Sequence, residues 1–134
     1  MPRYFTPEEA NAALAEVRPL AERMVAHRRA LARAQREQAE LVTRIATDGG
    51  DLDPGALRDL AGVLQEETEA LAECVRELDA LGVQVKDLDE GLVDFPARKG
   101  DEDVLLCWRL GEDEVAYWHG LEDGFAGRRP LPFE

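Results

Sequence analysis

The sequence predicts an α+β protein: an antiparallel helical hairpin followed by a small antiparallel β-meander, within a single domain spanning residues 1–134. Three observations predict it. Helix formers run almost unbroken from Pro7 to Ala46 and again from Pro54 to Leu81, with apolar residues near a 3.5-residue repeat. Thr47-Asp48-Gly49-Gly50, with its aspartate and two glycines, separates the two stretches. Beyond Gly82 the apolar period shortens to two and turn signals recur every few residues.

Thr6-Pro7-Glu8-Glu9 is a helix start: Thr6 caps, Pro7 sits where its missing N–H costs nothing, and Glu9 completes a capping box. Pro19 removes a hydrogen bond and crowds the preceding turn. The first helix is therefore expected to kink or break near Arg18, leaving residues 7–17 as a separate amphipathic helix with Leu14 and Val17 as apolar contacts. Residues 19–46 and 54–81 then form two rods of equal length. Asp53-Pro54 repeats the cap-then-proline signal, and Gly82 is placed to terminate the second helix in a left-handed conformation.

The facing stripes are Leu20, Met24, His27, Leu31, Ala34, Gln38, Leu41 and Ile45 on the first helix, and Leu57, Leu60, Leu64, Leu71, Cys74, Leu78 and Leu81 on the second. Antiparallel pairing brings Arg23 near Glu77, Arg28 near Glu73, and Arg33 near Glu66 or Glu67. A lone hairpin leaves much of each stripe wet, so a homodimer with a four-helix arrangement is expected.

Val83–Lys86, Leu92–Phe95, Val104–Trp108 and Glu114–His119 read as four strands, the third being the most apolar and so the central one. Pro96 is expected to end the second strand. The chain divides into a helical part (1–82), a sheet (83–119) and a C-terminal arm (120–134).

Composition excludes several functions. The net charge of −13 opposes binding to nucleic acid or anionic lipid. The basic residues His27, Arg28, Arg29, Arg33 and Arg36 lack interleaved aromatics and read as a solvated helix face. Charge is uneven, because residues 1–50 are nearly balanced while most acids lie beyond them, which suits two elements attracting each other. No apolar run is long enough to span a membrane. With no signal pattern at the start and only Cys74 and Cys107, a cytoplasmic protein with two thiols is expected.

Candidate chemistry concentrates in the last third. Alternation puts Cys107 and Trp108 on opposite faces of one strand, and Tyr117 and His119 together on one face of the next, with Trp118 opposite. Trp108 and Trp118 then lie beneath the helices as core or as the wall of a pocket. His119, before Gly120, is placed near a rim, where it is a candidate ligand or base. Asp87 and Asp89 beside Gly91 read as strand-turn caps, since the full calcium-loop pattern is missing. Lys86 and Asp87 together are expected to form a pair with Arg98 or Arg128, and the Arg128-Arg129 pair is expected to dock on the acidic half of the chain. The candidate ligand-binding residues are Lys86, Asp87, Asp89, Asp94, Trp108, Tyr117, His119 and Arg128. No metal ligands, catalytic residues or cofactor are assigned, because Cys107 and His119 lack the close-spaced pairs of a zinc site.

The run Lys86-Asp87-Leu88-Asp89-Glu90-Gly91-Leu92-Val93-Asp94-Phe95-Pro96-Ala97 is followed by Leu106-Cys107-Trp108-Arg109-Leu110-Gly111-Glu112, Tyr117-Trp118-His119 and Gly124-Phe125-Ala126-Gly127-Arg128. This series resembles a bacterial family of uncharacterised proteins, the domain-of-unknown-function family numbered 2203. The opening Phe5-Thr6-Pro7-Glu8-Glu9-Ala10-Asn11 is similar to that family's start. The resemblance implies a small bacterial protein of helical-hairpin type and brings no activity, ligand or catalytic residue.

Two functions are thus expected. The first is a homo-oligomeric interaction or scaffold protein built on a coiled-coil-like hairpin, favoured because no complete catalytic set is visible. The alternative is a small-ligand or metal-binding domain, or an enzyme, with its site in the C-terminal β region around His119 and Asp94 and using Asp87, Asp89, Cys107 and Arg128. Convergence of His119, Asp94 and Arg128 in one concave, partly dry pocket would favour the second.

Overall fold

A computed structural model describes residues 3–48 and 53–133; Gly49 and Gly50, expected in the loop, lie outside the described residues. Two helices, α1 (Pro7–Asp48) and α2 (Pro54–Ala80), precede a sheet of β1 (Gln84–Asp87), β2 (Leu92–Lys99), β3 (Glu102–Arg109), β4 (Tyr117–Gly120) and β5 (Arg129–Pro130). The strands lie in sequence order, every neighbouring pair antiparallel. This is the predicted α+β architecture, a helical hairpin and a meander with β3 at the centre.

Both helix starts form as their residues dictate. The Glu9 amide donates to Thr6 Oγ1 at 3.1 Å, and the Thr6 amide donates to Glu9 Oε1 at 2.9 Å. Asp53 accepts the Gly55 amide at 2.9 Å ahead of Pro54. Gly82 follows α2 with φ +87°.

Pro19 does not divide the first helix: α1 runs without interruption from Pro7 to Asp48, and residues 7–17 are not a separate helix. The Pro19 ring is exposed, as is Ala15, whose carbonyl it deprives of a partner, so that carbonyl is on the water side. Val17, Leu20, Ala21 and Met24 are buried on the opposite side. Their packing outweighs the roughly 3 kcal/mol that an interior proline costs.

The hairpin register is partly as predicted. Arg23 reaches Glu77 at 3.7 Å. Glu67, however, takes the His27 ring at 2.7 Å rather than Arg33. Arg28 reaches Asp89 of the β1–β2 turn at 3.0 Å, and Glu73 pairs with Arg76 of its own helix. The sheet docked at the base of the hairpin supplies Arg28 with a partner that pairing between the helices alone does not.

Pro96 lies inside β2 rather than ending it. Its carbonyl accepts the Phe5 amide at 2.7 Å, so this residue's hydrogen-bonding side faces away from β3, beyond the end of β1. No β2–β3 ladder bond is lost by placing proline there. β4 begins at Tyr117 rather than Glu114, because Asn11 of α1 takes the Val115 backbone, accepting its amide at 2.7 Å and donating to its carbonyl at 3.2 Å. The arm contains a 3₁₀ turn at Phe125–Gly127, and β5 pairs with β4, adding a fifth strand.

The sheet has two covered faces. Val93, Phe95, Ala97, Val104, Leu106, Trp108 and Trp118 pack with Phe5, Leu14, Val17, Ala21, Met24 and Leu78 in one core. Both tryptophans belong to it, on the same side of the sheet. Leu105 and Cys107 alternate onto the other face and are buried there too. Away from the sheet the hairpin is less well covered: Val42, Leu57 and Val63 are exposed.

Leu78 joins helix to sheet and is fully buried, whereas Leu57 is exposed on the far part of the hairpin. Leu78→Ala is therefore expected to cost about 2–5 kcal/mol and Leu57→Ala less than about 1 kcal/mol, as measured by denaturant unfolding of the two variants beside the parent.

Candidate functional site

The second face of the sheet carries the polar cluster. Asp94 on β2 stands directly across from Cys107 on β3, and His119 on β4 pairs with Leu105, two residues before Cys107. Period-two alternation aims all three side chains away from the helices. Asp94 and His119 are each 2% exposed and Cys107 is 0% exposed. One donor atom from each lies within 4.8 Å of the others.

The histidine is oriented by its neighbour. Nδ1 lies 2.7 Å from the Gly120 carbonyl, which can only accept, so Nδ1 carries a proton. Nε2 then faces the Asp94 carboxylate, 3.2 Å from each of its oxygens. Nε2 is thus the ring atom turned towards Asp94, where it can share a proton with the carboxyl group or present a lone pair to a cation between them. Burial pushes the Cys107 thiol up to about 12, with the Asp94 charge adding to the effect and Arg128 opposing it. The free thiol is therefore a poor nucleophile, and a bound cation is what would convert it to thiolate.

A cleft of about 190 Å³ opens onto Asp94 and His119. Leu92, Leu105, Leu121 and Phe125 line it, with Lys86 and Glu122 among its polar residues.

Arg128 comes to the same face. Its guanidinium donates to both Glu112 oxygens at 2.7 and 2.8 Å and to the Cys107 carbonyl at 3.4 Å. It lies 4.0 Å from the Tyr117 ring centre and 4.5 Å from that of Phe125. The arm thus docks on an acid of its own chain, as its basic pair implied. Glu112 in turn accepts the Arg109 amide at 2.7 Å, while its backbone carbonyl accepts Trp108 Nε1 at 3.1 Å and Arg18 at 3.3 Å. One turn therefore ties α1, β3 and the arm together.

The residues singled out in the sequence separate into two groups. Asp94 and His119 form the floor of the cleft, Lys86 lines it, and Arg128 and Tyr117 stack beside it. Trp108 is on the opposite face, in the core. Asp87 accepts the Asp89 and Glu90 amides at 2.8 and 2.9 Å and is a turn cap, while Asp89 pairs with Arg28. Neither Lys86 nor Asp87 pairs with Arg98 or Arg128; Arg98 reaches Asp103 instead. His119 is buried rather than near a rim, because the arm folds over it. Sequence reasoning paired Cys107 with His119 and the nearby carboxylates but assigned it no ligand role, for want of close-spaced pairs, and it missed Glu112 as the support. The strand register, which places Cys107 opposite Asp94, supplies what spacing along the chain did not.

Fold and site together define a small α+β protein with a buried carboxylate–thiol–imidazole cluster beside a cleft. The chain belongs to the family described as Uncharacterized conserved protein (DUF2203), whose model matches residues 3–131. No curated protein and no solved structure shows a significant match.

The raised Cys107 value has a definite sign. A thiol that titrates near 9 when unfolded and near 12 when folded stabilises the fold fully below pH 9 and loses that contribution as pH rises towards 12. In metal-free protein, the stability lost between pH 8 and pH 11 is expected to be smaller for Cys107→Ala than for the parent, measured as the shift in urea midpoint.

Proposed function

We propose that this protein binds a divalent transition metal through Asp94, Cys107 and His119. The observation carrying this reading is the convergence of three different donor types, all buried, from three adjacent strands onto one point. A buried carboxylate needs a compensating charge or hydrogen-bond donors, and a metal ion would supply the charge while drawing on the thiol and imidazole as further ligands. The mixed O, S and N set suits zinc or a similar borderline ion. Metal–ligand bonds of 2.0–2.3 Å place tetrahedral donors about 3.3–3.8 Å apart. The 3.2 Å between His119 Nε2 and Asp94 is already close to that, and the Cys107 sulfur lies within 4.8 Å of both donors. The Gly120 carbonyl on Nδ1 is the outer contact that commonly fixes a metal-bound imidazole. Two buried thiols, Cys74 and Cys107, with no disulfide between them, suit a reducing cytoplasm.

A second reading, self-association as a homodimeric scaffold, draws on the exposed Val42, Leu57 and Val63. They are on the part of the hairpin where Leu41, Leu60 and Val63 line an open groove. A dimer in light scattering that Val63→Glu converts to monomer is the expected result; a monomeric parent ends this reading.

For the metal, purified protein is expected to retain about one zinc per chain by elemental analysis. Cys107→Ser and His119→Gln should each lower zinc affinity by at least about tenfold, with helicity preserved in circular dichroism. A parent that retains no metal and takes up none on titration would leave the cluster as a structural ion pair.

A further inference from the structure

Three protein ligands leave a tetrahedral ion one position short, and that arrangement distinguishes open metal sites from closed structural ones. Access is one-sided. Asp94 and His119 line the cleft of about 190 Å³, whereas Cys107 does not and is sealed at the sheet face. The open position therefore faces the cleft. Water occupies about 30 Å³ in the liquid, so the cleft accommodates a molecule of only a few heavy atoms.

Its walls select the ligand. Leu92, Leu105, Leu121 and Phe125 offer apolar surface to a short hydrocarbon body. A divalent ion held by a carboxylate, a thiolate and a neutral imidazole has no net charge, so an anion taken as fourth ligand gives one negative charge. Lys86, the one cation among the lining residues, compensates it, and among the described residues Lys86 belongs to no salt bridge. Glu122, on the same lining, opposes a second negative charge. A monoanion is thus favoured over a dianion such as phosphate in a chain of net charge −13.

Resting on the metal reading above, we infer that the open position takes the carboxylate of a small organic monoacid, with its alkyl chain against Leu105 and Leu121. The protein loaded with cobalt tests this by absorption spectroscopy, with formate, acetate, propionate and butyrate titrated in turn and phosphate as the comparison. The cobalt bands are expected to shift saturably with the carboxylates and not with phosphate. Affinity should rise about fourfold per added methylene. Lys86→Ala should weaken every acid severalfold, and Leu121→Ala, at an exposed position, should flatten the series. If the thiolate-to-cobalt band is present but no carboxylate shifts the spectrum, the fourth position is closed and the inference falls while the metal site stands. Equal affinity along the series, or phosphate binding as well as butyrate, also overturns it. Absence of the thiolate band overturns the metal reading itself.

Discussion

The architecture depends on a central strand with no wet side. All five residues from Val104 to Trp108 on β3 are buried. The helices cover one face, and the other has to be covered as well, because a strand this apolar would otherwise expose Leu105 beside its neighbours. The chain supplies that cover from its own end: the segment from Gly120 to Arg128 folds back, and Arg128 fastens it to Glu112. The helical face is filled by aliphatic and aromatic side chains. The other contains Leu105, but also Asp94, Cys107 and His119. These buried ionisable groups are the ones the metal proposal draws on.

Much of this was legible in the residues. The capping box at Thr6 and the cap at Asp53 are local hydrogen-bond patterns, and local patterns survive folding. So do the glycine after α2 and the alternation that separates Cys107 from Trp108. What could not be read depended on contacts between distant segments. Pro19 looked like a break because a proline's cost is written in the sequence, whereas the packing of Val17 and Met24 that offsets it is not. Pro96 looked like a strand end because its partner, the Phe5 amide, is some ninety residues away. Arg28 found Asp89 rather than Glu73 for the same reason.

The site shows the same division. Which face each candidate takes followed from alternation alone. Which candidates meet followed from register, and register came from the turns. Asp94, Cys107 and His119 are separated by more than ten residues each, so no short spacing announces them; two hairpins bring them together. His119 looked exposed because glycine follows it, yet that glycine's carbonyl is what holds the ring.

The β2–β3 hairpin therefore carries more than its own ladder. Lys99 pairs with Glu102, leaving Gly100 and Asp101 as a two-residue connection with Gly100 at φ +62°. A single-residue deletion or insertion within β2 or β3 would exchange their inward and outward sets. Trp108 would turn to the small interior and Cys107 would enter the greasy one. Unless a bulge like the register shift between Val85 and Asp87 absorbs the extra residue, these two strands tolerate exchange of side chains far better than a change of length.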